Sequence, residues 1–121
     1  MAYKKYRNQI VEIDGIRFSS KLEARRYQEL KMLERAGEIR DLITQPKYVI
    51  QERTTDPNTG QSIPRQMYYG DFQYWDAKLG KLVCEDTKGI ETQTFRLKWN
   101  LVRPRYPHVL FKVLRKGDIC D

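Results

Sequence analysis

Between Tyr68 and Gly89 the chain reads YYGDFQYWDAKLGKLVCEDTKG, placing Asp71 and Asp86 fifteen residues apart with Lys88 two residues beyond the second acid. An acid followed by acid-x-Lys is the residue chemistry of metal-assisted phosphodiester cleavage. Carboxylate oxygens hold one or two Mg²⁺ or Mn²⁺ ions, which polarise the phosphate and lower the pKa of an attacking water, while a nearby ammonium orients that water or stabilises developing charge. As a bare pattern it is weak, because acids and lysines at this spacing also arise as ordinary surface charge pairs.

The element that must position these residues is a β-hairpin. If Ala77-Lys78-Leu79-Gly80 is the turn and Asp76 faces Lys81, the same register sets Asp71 across from Asp86, with Cβ atoms roughly 4.5–5.5 Å apart. Strand alternation then puts Asp86 and Lys88 on one face, and Glu85 and Thr87 on the other. Glu85 reads as the structural acid, with the roles exchanged if a bulge shifts the pairing. Like charges directly opposed destabilise a sheet unless a cation lies between them.

A third acid comes from a helix expected over Lys21 to Ala36. Ser20 and Glu23 form an S-x-x-E capping box, Gly37 supplies the stop, and the apolar stripe holds Leu22, Tyr27, Leu30 and Leu33. Glu23 falls inside that stripe. A capping-box glutamate needs no other role, yet a carboxylate in an apolar stripe must find a proton, a cation or a metal-bound water.

Around these elements, Ile10 to Ile13 and Ile16 to Phe18 flank Asp14-Gly15, a type I′ hairpin signal. Ile39 to Ile43 is followed by Gln45-Pro46, which introduces a strand of Lys47 to Glu52. Residues Arg53 to Pro64 read as a loop. A second helix is expected over Thr92 to Arg103, ended by Pro104, and then a strand over His108 to Leu114 that lies parallel to the strand ending in Lys88. His108, entering that strand, reads as structural rather than as a general base. The order is hairpin, α, three antiparallel strands, α, β.

Length and composition fit one domain over residues 1–121, with 32% charged and 40% hydrophobic residues and a mean hydropathy of −0.76. There is no membrane span, and the basic N-terminus has no apolar run behind it that would make it a secretory signal. Two cysteines, Cys84 and Cys120, form neither a C-x-x-C pair nor a disulfide framework, and with one histidine they are too few for zinc, so the cytoplasm is the expected compartment. A net charge of +7 points to a polyanionic partner, and nucleic acid is the commonest for a small basic domain. Lys4, Lys5 and Arg7 interleave with Tyr3 and Tyr6, which suits backbone contacts and base stacking, or else a solvated terminus. Arg26, on Glu23's side of the first helix, and Lys98, near the face of Phe95 and Trp99, are the better phosphate-contact candidates within the helices. No Ser-His-Asp arrangement or P-loop occurs.

Asp71 with Glu85-Asp86-Thr87-Lys88, preceded by the helical Glu23, resembles the PD-(D/E)XK nuclease superfamily. The run DGIRFSSKLEARRYQELKMLERAGEIRDLITQP, with YYGDF and CEDTKG, is similar to a family of small phage and prophage nucleases long classed as a domain of unknown function. The layout also resembles the endonuclease subunits of heteromeric transposases and, more distantly, junction resolvases. The resemblance covers nearly the whole chain and implies an α/β (α+β), restriction-endonuclease-like αβββαβ core: a mixed central sheet flanked by helices, here preceded by an N-terminal β-hairpin. It implies Asp71, Asp86 and Glu23 as contacts for Mg²⁺ or Mn²⁺ and Lys88 as the water-orienting or charge-stabilising residue. Gln45 matches a glutamine of the family pattern, with a turn-closing hydrogen bond as the equal alternative. Gly70 departs from the pattern, which has proline before the first aspartate. The implied activity is that of a DNA endonuclease acting on branched or duplex DNA in phage DNA metabolism, beside other replication or recombination proteins. Symmetric junction cutting would require a homodimer. The alternative is a non-catalytic DNA-binding module, or an adaptor of a phage DNA-processing complex.

Overall fold

The computed structural model describes residues 10–119. Its first hairpin joins β1 (Val11–Ile13) to β2 (Ile16–Phe18) through Asp14 and Gly15, both at positive φ as a type I′ turn requires. Helix α1 (Lys21–Arg35) starts where Ser20 Oγ accepts the Glu23 amide at 3.1 Å, and the chain leaves it through Gly37 at φ 80°. Strand β3 (Ile39–Thr44) follows, then β4 (Lys47–Gln51), β5 (Thr54–Thr55), β6 (Ser62–Ile63), β7 (Gln66–Tyr69), β8 (Phe72–Asp76), β9 (Lys81–Thr87), α2 (Gln93–Arg105) and β10 (Val109–Leu114).

The central sheet has the order β10-β9-β8-β3. Strand β8 pairs antiparallel with both β3 and β9, and β10 runs parallel to β9 because α2 carries the chain back across one face. The fold is therefore mixed α+β, and α1-β3-β8-β9-α2-β10 gives the expected αβββαβ order after an N-terminal hairpin.

The strand expected at Lys47 to Glu52 forms but is not part of that sheet; β3 takes the first of the three antiparallel places. The separation occurs at Gln45, which adopts φ 52° immediately before Pro46 and so turns the chain out of the β3 direction. Strand β4 instead pairs with β7 at the base of an arm. The segment read as a loop continues that arm as β5 and β6, because the Asp56 carboxylate accepts the Asn58 amide at 2.9 Å and Gly60 at φ 76° closes the turn.

Helix α2 begins as anticipated, with Thr92 Oγ1 accepting the Phe95 amide at 3.1 Å, but it continues through Pro104. In the last turn proline removes only one amide bond, at an exposed carbonyl, so the helix tolerates it. The residue expected to open the last strand, His108, is instead exposed just ahead of β10.

Two cores sandwich the sheet. Phe18, Ala24, Tyr27, Leu30, Ile39, Phe72, Tyr74 and Val83 join α1 and the first hairpin to one face. Tyr48, Ile50, Tyr68, Cys84, Phe95, Val102, Val109 and Phe111 join α2 and the arm's base to the other. Val83 and Cys84 therefore face opposite cores, and this alternation carries on into Glu85 and Asp86.

Gly70 lies at the passage from the arm back into the sheet. Its amide donates to the Pro46 carbonyl at 3.0 Å, and a Cβ there would sit 2.5 Å from Cys84 Sγ and 3.3 Å from Pro46 Cγ. A proline before Asp71 would lose that bond and collide with the core, which accounts for the glycine. Gly70→Ala should destabilise the fold by about 1–3 kcal/mol through overpacking. In a Cys84→Ala background, where Sγ is gone, the same substitution should cost clearly less in urea unfolding. Equal costs in the two backgrounds would refute the proposed collision.

Candidate active site

The turn at the end of the central hairpin sets the register of the acids. Asp76 Oδ1 accepts the Lys78 and Leu79 amides, and the β8–β9 ladder runs from Asp76 opposite Lys81 to Phe72 opposite Glu85. Asp71 was expected to be the next ladder residue, facing Asp86. It instead leaves the ladder: its amide donates to the Glu85 carbonyl at 2.9 Å, its carbonyl accepts the Gln45 amide at 2.8 Å, and its Oδ2 accepts the Thr87 amide at 2.6 Å. The side chain has taken over a main-chain acceptor's role, which pins the carboxylate at the strand end. It remains within electrostatic reach of Asp86.

Asp86 is 2% exposed, in a strand covered on both faces. The buried Tyr68 hydroxyl donates to Oδ2, and Lys88 Nζ lies 3.5 Å from Oδ1. The Lys88 ammonium also sits 4.5 Å from the Phe95 ring centroid, so α2 helps to hold it over the acid. Burial pushes the Asp71 carboxyl up to about 8, with the charge of Asp86 and then that of Glu23 adding to the rise.

Glu23 is 8% exposed, as its place within the apolar stripe implied, whereas Leu22 of that stripe is only half-buried. The capping box is incomplete, because the Glu23 carboxylate accepts a hydrogen bond from Ser19 Oγ at 3.0 Å. Its carboxyl is raised by burial, opposed by the Ser19 hydrogen bonds, raised further by Asp86 and lowered by Lys88. Glu23 thus lies within electrostatic reach of both the second acid and the lysine.

Glu85, fully buried, faces α1 as alternation predicts. Arg26 binds it with Nε at 2.7 Å from Oε1 and Nη2 at 2.5 Å from Oε2, and the Tyr74 hydroxyl donates to Oε2. Arg26 also holds Glu29 at 3.0 Å and is 13% exposed. This corrects the expectation that Arg26 contacts phosphate: its fork neutralises a buried carboxylate within the fold. Lys98, half-buried, does line a cleft with Asp86 and Lys88. Gln45 contributes a main-chain hydrogen bond, the turn-closing alternative, and its side chain is exposed. Lys4, Lys5 and Arg7 lie outside the described residues. Sequence reasoning missed Tyr68, Phe95 and Ser19 as partners of the site. Tyr68 has the spacing of an inward strand residue, but nothing in the sequence pairs it with Asp86.

The donor set of Asp71, Asp86 and Glu23 is all oxygen, and the rise at Asp71 comes first from burial and then from the charges of Asp86 and Glu23. Such a set fits a hard divalent cation. Among the described residues no three His, Cys, Asp or Glu side chains form a ready-made metal cage. Water and substrate oxygens would therefore complete the shell, as is usual for Mg²⁺.

The α+β fold places Asp71, Asp86 and Lys88 near the ends of its central strands β8 and β9, with Glu23 of α1 within electrostatic reach. The chain belongs to the family described as "Protein of unknown function (DUF1064)", whose model matches residues 3–117. No curated protein and no solved structure matches it. Among the described residues no helix is long and apolar enough to cross a membrane.

Two measurements probe these buried charges. The folded state binds the Asp71 proton more tightly than the unfolded chain does. Asp71 therefore opposes folding little below the unfolded pKa of about 4, and increasingly as pH rises through about 8. In metal-free protein the stability advantage of Asp71→Asn over wild type should grow from pH 4 to pH 8.5; an advantage constant across that range would contradict the raised Asp71 carboxyl. Arg26→Ala strands the Glu85 charge and should cost about 3–5 kcal/mol in denaturant unfolding, whereas a loss below about 1 kcal/mol would mean that the ion pair is dispensable.

Proposed function

We propose that this protein is a divalent-metal-dependent DNA endonuclease that hydrolyses phosphodiester bonds, with Asp71, Asp86, Glu23 and Lys88 as its reactive group. The observation carrying this reading is the convergence of Asp71, held by the Thr87 amide, and Asp86, held by the Tyr68 hydroxyl, at neighbouring strand ends, with Lys88 Nζ 3.5 Å from the second acid. The net charge of +7 and the resemblance of the motifs to PD-(D/E)XK nucleases support it.

Asp71 and Asp86 would hold Mg²⁺ or Mn²⁺, which supplies charge neutralisation at the phosphate and polarisation of a water. The chain's own residues do the rest. Tyr68 fixes Asp86 by donating to one oxygen, leaving the other directed at Lys88. The Lys88 ammonium, held by Asp86 and Phe95, donates hydrogen bonds to a non-bridging phosphate oxygen or to the attacking water, stabilising charge that grows in the transition state. Glu23, its carboxyl raised by burial, is suited to accept a proton from that water. A new P–O bond forms from the water oxygen, the bond to the leaving sugar oxygen breaks, and that oxygen is protonated by solvent.

The test is a cleavage assay with Mg²⁺ or Mn²⁺ on linear, nicked, flapped and four-way DNAs, beside calorimetric titration of the metals. Cleavage should fall at least 100-fold in Asp71→Ala, Asp86→Asn and Lys88→Ala, and the two aspartate variants should lose the metal-binding heat. A wild-type protein that cuts none of the panel, yet binds DNA without metal, would be a binding module instead. Activity that survives Asp71→Ala would mean that the reaction occurs elsewhere.

A further inference from the structure

Beside the acids, between β7 and the first turns of α2, a cleft of about 240 Å³ runs from Asp86 and Lys88 past Tyr69, Thr92, Thr94 and Lys98. We propose that this cleft holds an unpaired nucleotide next to the scissile phosphate, so that the enzyme acts on DNA whose pairing is interrupted at the cleavage point. The proposal rests on the nuclease reading of the acid site and goes further by assigning its substrate class and a second set of residues.

Three features of the cleft carry this inference. Tyr69 lies at its border with 56% of its surface exposed, although the neighbouring Tyr68 is buried against Phe95, Trp99 and Phe111. An exposed aromatic ring beside a reactive centre is a stacking surface, and a base can stack on it only where its face is not already covered by the next base pair. The second feature is cationic. No carboxylate among the described residues pairs with Lys98, whereas Lys88 is engaged with Asp86. Lys98 is therefore available to the phosphate adjoining the one at the acids. Third, the first turn of α2 carries no acidic residue, in contrast to α1 with Glu23. Its positive end and the hydroxyls of Thr92 and Thr94 add a second anion-favouring element on the same cleft. A cleft of about 240 Å³ has room for one extruded base.

The test uses the full chain with Ca²⁺ in place of Mg²⁺ and two DNAs of one sequence. One is continuously paired; the other carries 2-aminopurine as a single unpaired nucleotide beside a nick. Wild type should bind the interrupted DNA at least tenfold more tightly and quench the 2-aminopurine fluorescence. Tyr69→Ala should remove the quenching and weaken binding of the interrupted DNA about tenfold more than that of the continuous DNA, with Tyr69→Trp restoring both. Lys98→Ala should weaken both DNAs and reduce the salt slope by about 1. Equal affinity for the two DNAs, or quenching unchanged in Tyr69→Ala, would overturn the proposal. With Mg²⁺ present, equal cutting of both DNAs would leave the nuclease reading standing and remove this one. Tyr69-dependent quenching without any cutting would support the subsite and remove the nuclease.

Discussion

Strand β9 lies in the middle of the sheet with both faces covered, and it carries two carboxylates in succession, Glu85 and Asp86, both buried. A central strand of this kind ordinarily reads as a run of apolar residues, because a buried charge without partners costs several kcal/mol. Alternation sends the two acids to opposite faces, and the faces treat them differently. Glu85 meets a bidentate guanidinium and a tyrosine hydroxyl and is neutralised in place. Asp86 meets a tyrosine hydroxyl and a lysine at 3.5 Å, and lies within electrostatic reach of Asp71 and Glu23. One acid is locked into the fold and the other is left chemically unfinished.

Helix α1 serves both. Glu23 and Arg26 are three residues apart and so share one side of the helix. Arg26 reaches the Glu85 face while Glu23 approaches the Asp86 end of the strand, held by Ser19. Helix α2 and the arm supply the opposite wall: Phe95 lies under the Lys88 ammonium, and Tyr68, at the end of the arm, donates to Asp86. The close passage at Gly70, with the Gln45 and Pro46 main chain closing on the same bend, sets where β8 begins and hence where Asp71 points. The site is thus a junction of four elements rather than a feature of one hairpin.

Periodicity and turn chemistry determined much of this within the sequence. Asp14-Gly15 and Ser20 mark their elements because the backbone requirement is local to those residues, and the hairpin register from Asp76 to Lys81 follows from its turn. The burial of Glu23 and the division of Glu85 from Asp86 follow from helical and strand periods alone. What tertiary structure decided is whatever depends on a partner distant in the chain. Lys47–Gln51 reads as a strand by composition, but only the bend at Gln45 and the pairing with β7 assign it to the arm rather than the sheet. Arg26 reads as a phosphate contact until Glu85, 59 residues away, is seen to hold it. Asp71 leaves its ladder because the Thr87 amide offers its carboxylate a bond that no local rule foresees. Residue types and spacing specify which groups must be buried; the packing of α1 and α2 on opposite faces determines which charges are compensated, because that compensation depends on distances between elements that no single stretch of sequence contains.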